Sequence, residues 1–185
     1  MNQGAIETNQ LQAKLPRPAG YKAKPWQEWP DDEIQAFIAG AQPVWRRAFV
    51  VLLCTGLRRE DAIGLKREHI KDGMIEVATG KTEAHVSIPV HGALAAELAT
   101  TLTIENASLL ICGTRGRPIR GDVLSHSIKK EARRIGIAGP KPLHGLRRNA
   151  VMRLLEVGCT EEEVHAVTGQ SKEMIRHYGA RFRRR

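Results

Sequence analysis

The chain of 185 residues carries 29 Lys and Arg against 20 Asp and Glu, a formal net charge of +9, with 42% hydrophobic and 26% charged residues. That length holds one core with a short extension, and the composition is that of a soluble globular domain. The positive balance points to a polyanionic partner, nucleic acid first and an anionic membrane surface second.

Residues 1–24 are polar, carry Pro16, Pro18 and Gly20, show no sustained period, and are predicted to form a linker or disordered tail. The start, "MNQGAIETNQ", has no basic stretch followed by an apolar one, so no secretory signal is expected. Ordered structure is predicted from "PWQEWPDDEIQAFIAG". Pro30 and the acidic run Asp31, Asp32 and Glu33 suit a first helical turn, and Gly40 suits its end. Trp26 and Trp29 suit packing at the start of the domain. "PVWRRAFVVLLCTG" predicts a second helix with an apolar body, a buried thiol at Cys54 and a stop at Gly56. Its apolar run is far too short to span a bilayer. "RREDAIGLKREHI" predicts a short third helix.

The period then changes. In "GMIEVATGKTEAHVSIPV", Ile75 and Val77 alternate with polar neighbours, as do Val86 and Ile88. This predicts a β-hairpin with Lys81 at or beside its turn. "ALAAELATTL" turns helical again, "SLLIC" is a short apolar stretch, "GTRGRPIRG" is a loop, and a helix is predicted over 122–135. After the break "GIAGPKP", "LHGLRRNAVMRLLEVG" predicts an amphipathic helix stopped by Gly158. Thr160 caps "TEEEVHAVTG" with Glu163 in the capping-box position, and a last short helix is expected over 171–178. Cys54, Cys112 and Cys159 are odd in number and form no C-x-x-C pair, which argues against a disulfide framework and a zinc site. The fold class is mainly α with a small antiparallel β-sheet, an α+β domain.

Four short motifs carry chemistry. In "TGLRRED", Arg58 and Arg59 follow the helix stop at Gly56. Arginines at a helix start oppose its dipole, an arrangement better tolerated where a phosphate is held. In "TGKTE", Lys81 is an amine on a flexible tip. In "LHGLRR", His144 and Arg147 are three apart and share a helix face. In "TGQSKEMIRHY", Tyr178, one of only two tyrosines, closes a basic tail. Taken singly, the arginines, the lysine and the His-Arg pair are better read as a solvated basic surface.

Their order along the chain resembles the catalytic domain of the tyrosine recombinase, or phage integrase, family, from about Pro25 to about Phe182. The resemblance implies that fold, also called the DNA breaking-rejoining enzyme fold, and a site-specific DNA recombinase or integrase of a phage or mobile element. Residue by residue, it implies Arg58, Lys81, His144 and Arg147 in the active site and Tyr178 as nucleophile. Gln170 stands where the family most often has histidine, sometimes tryptophan. Glutamine still donates a hydrogen bond but cannot titrate. Asp61 stands where glutamate is common and is expected to support the arginine. In the implied chemistry, Arg58 and Arg147 clamp the non-bridging phosphate oxygens, His144 orients or deprotonates the tyrosine, and Lys81 protonates the leaving 5′-oxygen. A 3′-phosphotyrosyl link results. The scheme calls for no metal and no cofactor. Arg59, Lys141, Arg148 and Lys172, with Arg153 and the terminal "RFRRR", are candidate contacts to the DNA backbone.

Family members usually carry a core-binding domain before the catalytic one. Here 25–185 is expected to be the catalytic domain alone, with the core-binding domain absent. The expected partners are double-stranded DNA and other recombinase protomers on it. The protein is expected to be a monomer off DNA, cytoplasmic, nucleoid-associated when bound, with no membrane partner. Two other readings stay open: a non-catalytic DNA-binding remnant or regulator of the same fold, and a type IB topoisomerase-like enzyme.

Overall fold

The computed structural model describes residues 27–80, 83–100, 108–139 and 141–182. The expected tail over 1–24, Trp26, Lys81 and the basic end at 183–185 lie outside the described residues. Eight helices and three strands are described: α1 (Asp31–Gly40), α2 (Pro43–Thr55), α3 (Arg59–Ile63), β1 (Ile70–Lys71), β2 (Met74–Ala78), β3 (His85–Pro89), α4 (Gly92–Ala99), α5 (Gly121–Arg134), α6 (His144–Glu156), α7 (Glu161–Thr168) and α8 (Lys172–Phe182). The class is mainly helical with one small sheet, as the alternation and helix periods predict.

Helix α2 is the hub. Its apolar body from Ala48 to Leu53 is buried, and α1, α3, α4, α5 and α6 pack around it. At the start of the domain, Trp29 meets Phe37 and Phe49 edge-on, with ring centroids 6.0 and 5.0 Å apart. This edge-to-face geometry suits the aromatic quadrupoles, and the expected packing role of Trp29 holds. Asn149 of α6 then stitches the segment down: Trp29 N–H donates to its Oδ1 at 2.9 Å, and its Nδ2 donates to the Trp29 carbonyl at 2.8 Å. Gly145 allows the approach, since a Cβ there would lie 2.3 Å from the Gln27 carbonyl oxygen.

The sheet has order β1-β2-β3 and is antiparallel, with Ile75 opposite Ile88 and Val77 opposite Val86. Ile75, Val86 and Ile88 enter the core, as the alternation predicts. Two expectations are corrected. The third helix stops at Ile63 instead of running on through "GLKREHI", because Leu65 is drawn into the core and its carbonyl accepts from Leu110 N–H at 2.8 Å. The chain beyond it makes a single 3-10 turn (Arg67–His69) and the strand β1, so the hairpin grows to three strands. The final helix does not end at Tyr178 but continues to Phe182.

The helix ends follow their chemistry. Gly56 and Gly169 cap α2 and α7 in the left-handed conformation, with φ of 60° and 61°. Thr160 and Glu163 form the predicted capping box, with bonds of 3.2 and 2.7 Å. A second, smaller apolar cluster joins α6, α7 and α8 through Val151, Met152, Val164, Ile175 and Tyr178. Cys54 is half-buried, and burial raises its thiol pKa to about 11. No helix among the described residues is long and apolar enough to cross a membrane.

Candidate active site

The Thr-Gly pairs Thr55-Gly56, Thr79-Gly80 and Thr168-Gly169 recur in three of the motifs, and the fold brings them together. Thr55 and Thr168 do the same local work. Each hydroxyl donates to the carbonyl four residues back at 2.7 Å and accepts from the N–H two residues on at 3.3 Å. Each is followed by the left-handed glycine that ends its helix. A Cβ on Gly56 would sit 3.2 Å from Thr168 Cγ2, and one on Gly169 would sit 3.6 Å from Thr79 Cγ2. The three threonines are buried. Their packing fixes the chain directions by which Arg58, Gly80 and Gln170 leave the core. The repeated T-G pair was visible in the sequence, but its meaning as one packed hub was not.

Arg58 is the N-cap residue of α3. Its Nη1 lies 3.9 Å from Asp61 Oδ2, and Asp61 Oδ1 accepts from Gly80 N–H at 2.9 Å. Asp61 therefore ties the base of the β2–β3 loop to the arginine, consistent with the support expected of it. Arg147, on the first turns of α6, is 4% exposed and donates through Nη1 to the Gly56 carbonyl. Burial first, and the charge of Arg58 second, lower its pKa to about 10. It remains a cation at neutral pH, three units below that value.

Arg58, His144 and Arg147 line one groove of about 550 Å³, together with Arg59, Glu60, Ser125 and Lys129. The His144 imidazole opens to solvent on one side. Crowding by protein on the other, then the charges of Arg147 and Arg58, hold its pKa below the ordinary histidine value. The ring is therefore mainly neutral at pH 7 and able to accept a proton.

Tyr178 is 5% exposed, buried among the α6–α8 apolar residues, and is not among the residues that line the groove. Burial raises its phenol pKa, opposed by the charges of Arg148 and Arg147. The guanidinium carbon of Arg148 lies 5.2 Å from the Tyr178 ring centroid, a cation–π contact. Arg148, expected as a contact to the DNA backbone, is 3% exposed and packed against the tyrosine ring. Two consecutive arginines on one helix diverge by about 100°, and α8 covers the second.

Gln170 is 5% exposed, and its Nε2 has no hydrogen-bond partner among the described residues. An orphaned buried amide is costly unless something accepts from it. The other candidates scatter. Arg59 reaches Ser125 Oγ at 2.8 Å and pairs with Glu60 at the groove. Lys141 lies 3.6 Å from Glu33, and exposed Lys172 pairs with Glu162 at 2.6 Å. Arg153 pairs with Asp31 at 2.8 Å. Sequence reasoning missed Ser125 and Lys129, which lie one turn apart on α5 and carry no motif. No group of three or more His, Cys, Asp or Glu that could hold a metal ion is found among the described residues.

Residues 30–184 match the model of the phage integrase family. No curated protein matches the chain in sequence. Among solved structures, a lambda integrase(75–356) dimer bound to a COC′ core site superposes with TM-score 0.70 at 22% identity, covering 85% of this chain and 60% of that one. The lambda integrase catalytic core superposes with TM-score 0.64 at 23% identity, covering 78% of this chain and 91% of that one. XerA recombinase superposes with TM-score 0.68 at 18% identity, covering 88% of this chain and 60% of that one. The chain spans 49% to 60% of the lambda integrase chains bound to core sites or a Holliday junction, so the likeness to them is one of fold.

Proposed function

Because the chain belongs to the phage integrase family, we propose that it is the catalytic domain of a site-specific recombinase that cuts and rejoins duplex DNA through a 3′-phosphotyrosyl link. The observation that carries this reading is the convergence of Arg58, His144 and Arg147, distant in sequence, on one groove, with the charge of Arg147 also acting on the buried Tyr178. Two arginines supply what an attacked phosphodiester needs most, charge neutralisation in a fork geometry that matches its non-bridging oxygens. Arg147 donates one N–H to the Gly56 carbonyl, which orients the guanidinium.

In the proposed step the Tyr178 oxygen forms a bond to phosphorus as the bond from phosphorus to the 5′-oxygen breaks. The phenol proton passes to His144, which is mainly neutral at pH 7. The 5′-oxygen takes a proton from Lys81. Reversal with a different 5′-hydroxyl rejoins the strand, so the energy of the broken link is kept in the phosphotyrosine. Gln170 donates through Nε2 to a phosphate oxygen. The raised pKa of Tyr178 makes help with deprotonation a requirement. The proposed organisation is 1–24 as a linker and 25–185 as the catalytic domain, acting with other protomers on DNA and monomeric away from it.

The test is to incubate the protein with a nicked duplex that traps the intermediate, then look for protein-linked DNA on a denaturing gel. Tyr178→Phe loses only a hydroxyl and is expected to bind DNA yet form no adduct. Arg147→Lys keeps the charge but loses the fork, and adduct formation should fall at least a hundredfold, the order of one preorganised phosphate contact. Tyr21→Phe, at the other tyrosine of the sequence and within the proposed linker 1–24, serves as the control and should react like the parent. An adduct formed by Tyr178→Phe would remove Tyr178 from the proposed role.

A further inference from the structure

We infer that His165 is a positioning residue that holds Gln170 in the geometry from which its side-chain amide meets the phosphate; this rests on the role proposed above for Gln170. The Gln170 backbone is pinned at both ends. Its N–H donates to Thr168 Oγ1 at 3.3 Å, and its carbonyl lies 2.5 Å from His165 Nδ1. A carbonyl oxygen only accepts, so Nδ1 carries the hydrogen. His165 also closes the turn with its backbone, since its own carbonyl accepts from Gly169 N–H at 2.8 Å. One residue therefore grips the Thr168-Gly169-Gln170 turn twice, by main chain and by side chain.

What the grip secures is a buried donor without a partner. Gln170 Nε2 is shut off from solvent and finds no acceptor among the described residues. Left to relax, a glutamine in that state rotates its amide toward water or toward a neighbouring carbonyl. A fixed backbone on a left-handed glycine turn restricts that escape. Preorganised donors are worth most where charge develops, and they lose their effect when they must be reoriented during the step. His165 itself is exposed on the last turn of α7, where its removal leaves the core packing untouched. It does not line the groove, so its influence must pass through Gln170.

The experiment is a double-mutant cycle on adduct formation with a nicked duplex in single turnover. Gln170→Ala is expected to slow the step about ten- to a thousandfold. His165→Ala is expected to slow it by up to about a hundredfold, the order of an ångström-scale misplacement, with duplex affinity and unfolding midpoint unchanged. Adding His165→Ala to Gln170→Ala should cost nothing further, because the residue it positions is gone. His165→Asn, whose amide places a donor near Nδ1, should recover most of the rate. The cycle separates the two readings. If Gln170→Ala matches the parent, the role of Gln170 fails and this inference falls with it. If Gln170→Ala is slow while His165→Ala is at parental rate, or the two losses multiply, only the inference about His165 is overturned. A measurement independent of turnover is the tautomer in nitrogen-edited NMR: His165 is expected as Nδ1–H when neutral, and a resonance in the Nε2–H form overturns the grip directly.

Discussion

At the residue scale, the environment of His144 sets a measurable pH dependence. Its pKa is lowered by burial and by the charges of Arg147 and Arg58, so the folded protein resists protonating it while the unfolded chain does not. Below the ordinary histidine value of about 6.5 the unfolded state binds more protons, and stability therefore falls as pH drops toward the folded pKa. Above that value this loss is absent. Urea midpoints taken from about pH 7.5 down to about pH 5 should decline, and His144→Gln, which cannot titrate, should decline less over the same range. An identical acid slope in the variant would show that His144 is not strained in the way described. The residues themselves were differently legible. Arg58, His144 and Arg147 could be picked out by motif and do converge. Arg148 could not be separated from Arg147 by sequence, because its contact with the Tyr178 ring depends on another helix. Ser125 and Lys129 gave no signal, since a Ser and a Lys one turn apart look like any helix surface.

At the element scale, the stops and starts of helices were the most readable feature, and their causes are local. Pro43 opens α2 and left-handed Gly56 closes it; Thr160 and Glu163 open α7 and Gly169 closes it. Strand β1 was not read, since it has only two residues and no alternation, though a signal for it stands in the sequence. Its signal is Asp72-Gly73, both at positive φ (49° and 77°), the pair a two-residue hairpin turn demands. The shortened α3 was not legible, because the pull on Leu65 comes from Leu110, more than forty residues away. The Thr-Gly hub gives a prediction at this scale. Gly56 sits at φ 60°, and a Cβ would lie 3.0 Å from Ala150 Cβ and 3.2 Å from Thr168 Cγ2. Gly73 has φ 77° with nothing within 4 Å. Both substitutions to alanine carry the left-handed cost of about 1–2 kcal/mol. Gly56→Ala alone adds the contact strain and displaces the carbonyl that Arg147 holds. Chemical denaturation should show Gly56→Ala less stable than Gly73→Ala, and adduct formation should drop in the former while remaining near parental in the latter.

At the scale of the whole molecule, the net charge of +9 becomes specific in the groove. Arg58, Arg59, Lys129 and Arg147 line it against a single lining carboxylate, Glu60. Two of these cations are themselves paired, Arg58 with Asp61 and Arg59 with Glu60, as outside the groove are Arg46 with Glu97, Arg134 with Glu131, and Lys172 with Glu162. Lys129 makes no ion pair among the described residues, so its charge is available to a polyanion at no cost of breaking a bridge. A cationic groove that neutralises phosphates releases condensed counterions, and the logarithm of affinity falls linearly with the logarithm of salt, by about 0.9 per phosphate on a duplex. Duplex binding by this chain should therefore weaken steeply as salt rises. Lys129→Gln should flatten the slope by about one contact and weaken binding alike for unrelated sequences. Exposed Lys172, already held 2.6 Å from Glu162, should change the slope by less than half as much when replaced by Gln. Equal effects from the two lysines in a fluorescence-anisotropy titration would mean that DNA is held by diffuse surface charge, and that the groove containing Arg58, His144 and Arg147 is not where the backbone sits.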